Sequence, residues 1–102
     1  MKPIQTKAEL IGLLVANGAS IVGFGVSKIG FFGSFATNKI HDNSDIDFFV
    51  VFEKDRKNYD NFFDLYTLLK TNSGRNIELI TPESLSKHIG KHILNEVEYV
   101  SI

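Results

Sequence analysis

Apolar positions along the chain recur at two spacings, and the switches between them lay out the elements. In "TKAELIGLLVANG", Leu10, Leu13 and Leu14 make a helical stripe, Thr6 stands as an N-cap with Glu9 three residues on, and Asn17-Gly18 is a stop signal. From Ala19 to Val26 neither spacing holds, because Gly23 and Gly25 weaken both. "SKIGFFG" reads as a short strand that breaks at Gly33, Ser34 to Lys39 as a short helix opening there, and "HDNSD" as a turn. "IDFFVVF" is β-branched and aromatic apart from Asp47, the composition of a central strand. "NYDNFFDLYTLLK" returns to helical spacing, with apolar residues at 59, 62, 63, 65, 66, 68 and 69 that predict a broad buried face, and Gly74 stops it. "NIELI" predicts a further strand. Thr81-Pro82-Glu83 starts a helix whose Leu85, Ile89 and Ile93 turn inward, and "EVEYVSI" closes as an alternating edge strand. This order predicts an α+β fold with a mixed sheet of about four strands flanked by helices.

Composition narrows the class. The 102 residues fit a single domain spanning 1–102, and 43% hydrophobic content is that of a globular chain. A formal charge of -1 argues against general nucleic-acid binding. The absence of cysteine excludes disulfides and thiolate metal sites. No apolar run approaches the ~20 residues of a membrane span, and "MKPIQTKAEL" lacks a signal-peptide core. The expectation is a soluble cytoplasmic protein.

The chemistry gathers around one strand. Asp45 and Asp47 flank Ile46, and residues two apart on a strand share a face. Two carboxylates so close repel unless protonated or bridged by a cation, and oxygen-only ligands suit Mg²⁺ or Mn²⁺. The plainer alternative is that Asp45 caps a turn and Asp47 is solvated at a strand end. Ten residues separate Gly33-Ser34 from Asp45, and the pair stands at a strand-to-helix break where backbone N–H groups could receive phosphate. An ordinary serine-capped turn is the plainer reading there. His88 and His92, four apart on a predicted helix, could share a metal but lack an evident third ligand; with Lys87 and Lys91 they could instead form a modest basic patch.

Taken together, "GFFGSFATNKIHDNSDIDFFVVF" resembles the GS-x10-D-x-D signature of the DNA polymerase β-type nucleotidyltransferase superfamily. More closely, it is similar to the minimal nucleotidyltransferases, the antitoxin halves of HEPN/MNT toxin–antitoxin pairs. "FFDLYTLLKTNSGRNIELITPESL" and "HILNEVEYV" extend the likeness from about Ser27 to Val100. The resemblance implies a polymerase β-like fold and transfer of a nucleoside monophosphate, with ATP as the expected donor, to a tyrosine hydroxyl of a cognate HEPN toxin. It implies two Mg²⁺ ions, with Mn²⁺ as a substitute, held by catalytic Asp45, Asp47 and Glu78. It places Gly33, Ser34, Lys39 and Ser44 at the nucleotide. Glu78 stands where the family more often has aspartate, and Thr37 and Asn38 stand near where it often has a basic residue and a glycine. These departures keep a second reading open, a catalytically weak or inactive module that neutralises a partner by contact. Self-association is left open.

Overall fold

The computed structural model describes residues 2–85 and 87–102, and of residues 87–89 the backbone alone. Helices α1 (Lys7–Ala16) and α2 (Gly18–Gly23) lead into strand β1 (Val26–Phe32), which turns into the one-turn helix α3 (Ser34–Thr37). Strand β2 (Ile46–Phe52), helix α4 (Tyr59–Ser73) and strand β3 (Ile77–Ile80) follow. A 3₁₀ turn (Pro82–Ser84), helix α5 (Lys87–Glu96) and strand β4 (Glu98–Val100) complete the order. The sheet runs β3-β2-β1-β4. β1 is antiparallel to β2 and β4, whereas β2 and β3 are parallel and joined across α4, the crossover that a parallel pair requires.

Alternation along the strands separates core from site. Ile29, Phe31, Ile46, Phe48, Val50 and Ile77 face one way and pack with Leu10, Leu14, Ile21, Phe35, Leu65 and Leu69 from the helices. The intervening residues Asp47 and Glu78 therefore face the opposite layer. Phe49 is buried on that second layer with the Tyr99 ring edge-on at 6.3 Å. β2 is interior, as its composition predicts, and β4 is an edge.

Asn17-Gly18 stops α1 at Ala16 as expected, and the unassigned stretch after it holds α2, which carries the fully buried Ile21. Three local expectations are corrected. α3 stops at Thr37 and not at Lys39, since Asn38 adopts a left-handed cap with φ 60°. The buried face of α4 is narrow: Leu65, Leu69 and Ser73 are buried, while Tyr59 and Phe63 stack on each other at 5.9 Å in the open. Pro82 opens only a 3₁₀ turn, because Leu85 is extended and α5 begins at Lys87. Ile89 lies outside the described side chains. Among the described residues no helix is long and apolar enough to cross a membrane.

Candidate active site

Asp47 is the second residue of β2 and pairs in register with Glu78 of β3. The parallel pairing puts the two carboxyls side by side on the face away from the core. Asp45 precedes the strand, in the exposed backbone that leaves the 41–44 turn, so strand pairing alone does not orient it. Ile46, between the two aspartates, is fully buried and fixes the strand's facing.

The site is acidic enough to oppose its own ionisation. Partial burial pushes the Asp47 carboxyl up from 3.8 to about 6, helped by the negative charges of Glu78, Asp45 and Glu96 and by a hydrogen bond shared with Glu78. A bound cation would reverse that penalty. Among the described residues, no three carboxylates or histidines already converge on one point. A hard divalent cation fits this oxygen-only set, since Mg²⁺ completes its shell from water and phosphate.

Gly33 joins the two halves of the signature. Its φ of 73° and ψ of -147° lie outside the range of ordinary side chains, and a Cβ there would sit on Asp47 Oδ2. The turn thus brings its backbone against the Asp47 carboxyl. The Gly33 N–H donates to Glu96 Oε1 at 2.5 Å, and the Gly33 carbonyl accepts from the N–H groups of Ala36 and Thr37 at 3.0 Å. Ser34 is half-buried as the first residue of α3, its carbonyl closed by the Lys39 N–H at 3.0 Å. The Lys39 side chain is exposed.

Ser44 is drawn into the turn before Asp45. It is buried, its hydroxyl accepts from the His41 N–H at 2.9 Å, and its carbonyl accepts from Arg75 Nη1 at 2.8 Å. A cavity of about 610 Å³ opens beside this loop, with Asp42, Asn43, Asp45, Lys70 and Arg75 among its walls. Sequence reasoning missed two participants, Glu96 and Arg75. Glu96 is 63 residues from Gly33, and no local pattern links them. Arg75 carried a faint signal, a basic residue wedged between a helix-stopping glycine and a strand. His92 is exposed, and the side chains of Lys87 and His88 lie outside the described residues, so the histidine pair and basic patch have no described geometry.

The family described as Polymerase beta, Nucleotidyltransferase matches residues 23–101, from the end of α2 through β4. The chain belongs to this family and has its mixed-sheet α+β fold. Within it the chain is of the minimal, MntA-like kind. It is 36% identical over 77 residues to Protein adenylyltransferase MntA of Thermococcus cleftensis (strain DSM 27260 / KACC 17922 / CL1), covering 76% of this chain and 77% of that one. A solved minimal nucleotidyltransferase superposes with a TM-score of 0.79 at 20% identity, covering 91% of this chain and 94% of its own. A toxin–antitoxin crystal structure with AMP-PNP superposes with a TM-score of 0.63 at 22% identity, covering 91% of this chain and 70% of its own.

Proposed function

We propose that this protein transfers a nucleoside monophosphate from a nucleoside triphosphate, ATP by expectation, to a hydroxyl of a partner protein, and so acts as an antitoxin. The partner in this reading is a HEPN-family toxin and the acceptor a tyrosine. The observation that carries it is the register of Asp47 with Glu78, with Asp45 two residues upstream and the Gly33 backbone against the Asp47 carboxyl. The MntA relative, named a protein adenylyltransferase, supports the reaction type.

The acceptor oxygen attacks the α-phosphorus and loses its proton, the bond to the bridging oxygen breaks, and pyrophosphate leaves. Asp45, Asp47 and Glu78 would hold Mg²⁺, which supplies neutralisation of phosphate charge and polarisation of the acceptor hydroxyl. The turn at Gly33-Ser34 would offer the Ser34 hydroxyl, and the Gly33 N–H once Glu96 releases it, to the phosphates beyond the leaving oxygen. Lys39, on the same exposed loop, adds a cation there. Ser44 supports the loop that delivers Asp45. Catalysis in this arrangement is positioning and charge compensation.

One observation favours the second reading, neutralisation by contact without transfer. The Glu96 carboxylate already takes the Gly33 N–H that a phosphate oxygen would need. Incubation with Mg²⁺, ATP labelled at the α-phosphate and the product of the neighbouring gene separates the two. Label should appear on the neighbour and vanish with Asp45→Asn/Asp47→Asn. An unlabelled neighbour that the double variant still neutralises would leave the contact reading standing.

A further inference from the structure

We propose that Arg75 is a positioning residue that holds Asp45 in place relative to the Gly33-Ser34 turn, an inference that rests on the nucleotidyl-transfer reading of this site. Arg75 is 8% exposed, and no carboxylate pairs with it among the described residues. Its charge is met by carbonyl oxygens. Nη1 donates to Ser44 O at 2.8 Å and His41 O at 3.1 Å, with Asp42 O at 3.4 Å, and Nε donates to Ile4 O at 2.6 Å. Three of these four carbonyls belong to the turn that delivers Asp45.

Asp45 needs such a brace because it lies outside the ladder. On one side its neighbour Ser44 is bound by Arg75, and on the other the Ile46 N–H donates to Asn76 O at 3.1 Å. Residues 75 and 76 therefore grip the backbone on both flanks of Asp45. The central carbon of the same guanidinium lies 5.2 Å from the centre of the ring of Phe35, the residue after Ser34. One planar cation thus ties the glycine–serine turn to the aspartate pair, ten residues apart in sequence. Lysine keeps the charge but has neither the planar fork nor the stacking face. Bonds from a charged donor are among the strongest neutral-acceptor contacts a fold can make, so the brace is stiff.

A merely structural role would give the same loss of stability without touching the site. Arg75→Lys is therefore compared with Ile21→Val, a buried change in α2, at a temperature where near-UV circular dichroism shows both folded. Two readouts are taken: Mn²⁺ affinity by electron paramagnetic resonance, and the ¹⁵N amide signals of residues 41–45. Arg75→Lys should weaken Mn²⁺ binding by about tenfold and shift or broaden the loop signals, and Ile21→Val should change neither. If Arg75→Lys does not fold, Phe35→Leu removes the stacking face instead and should weaken Mn²⁺ several-fold. Affinity within twofold of wild type and unperturbed loop signals in either folded variant would overturn the proposal. A wild type that binds no Mn²⁺ would sink the transferase reading, while the loop signals would still report whether Arg75 orders the turn.

Discussion

Gly33 shows how tightly the site is built around single atoms. A methyl group there would meet Asp47 Oδ2, and the residue's φ of 73° already disfavours any side chain. Gly33→Ala should therefore cost about 2 kcal/mol or more and abolish transfer, because the Asp47 carboxyl must move or the turn must open. Gly12 is the internal control. It lies within α1 with open space around it, so Gly12→Ala should stabilise by about 0.5–1 kcal/mol and leave transfer unchanged. Urea titration of both variants beside the wild type checks the pair. Glu96 gives a third expectation at this scale. Its carboxylate occupies the Gly33 N–H and adds negative charge near Asp47, so Glu96→Gln should tighten ATP binding several-fold by isothermal titration.

At the scale of elements, the pieces that announce themselves are those whose local chemistry agrees with their packing. α1 has its cap as read, with Thr6 Oγ1 accepting from the Glu9 N–H at 3.0 Å, and its Leu10 and Leu14 fully buried. β2 has the residues of an interior strand and is one. α4 ends on Gly74 in the left-handed conformation, φ 68°, beside Pro3. Gly74→Ala should lose about 1 kcal/mol in thermal unfolding, since its left-handed φ disfavours a side chain and a Cβ there would press on Pro3. The segments that misled are those decided by their neighbours. Tyr59 and Phe63 have helical spacing but find no layer above them, and Leu85 is extended after the 3₁₀ turn that Pro82 opens.

At the scale of the whole molecule, the acidic site makes stability depend on pH and on divalent cations. Asp47 binds its proton more tightly in the fold, at about 6, than in the unfolded chain, near 3.8. Its contribution is therefore most favourable below pH 4, declines as the pH rises from 4 to 6, and stays unfavourable above that. Metal-free Asp47→Asn should match wild type in stability at acid pH. It should exceed wild type at pH 7.5 by on the order of 1 kcal/mol, a figure already reduced for the partial exposure of the group. Mg²⁺ should raise the melting temperature of the wild type and leave that of Asp47→Asn nearly unmoved. Equal pH profiles for the two proteins would show that Asp47 does not sense its neighbours.

Local sequence carries the order of the elements apart from α2, the interior place of "IDFFVVF" and the pairing of a glycine–serine turn with two spaced aspartates. Those features are written in local periodicity and turn chemistry, which neighbouring residues along the chain suffice to express. The folded chain sets Glu78 level with Asp47, because strand register depends on the crossover through α4 and the shared core beneath it. It alone brought Glu96 to Gly33 and laid Arg75 beneath the turn that carries Asp45. Contacts between residues so distant along the chain have no periodic trace. They exist because folding brings separate elements together, and a buried guanidinium must then find acceptors wherever the packed backbone presents them.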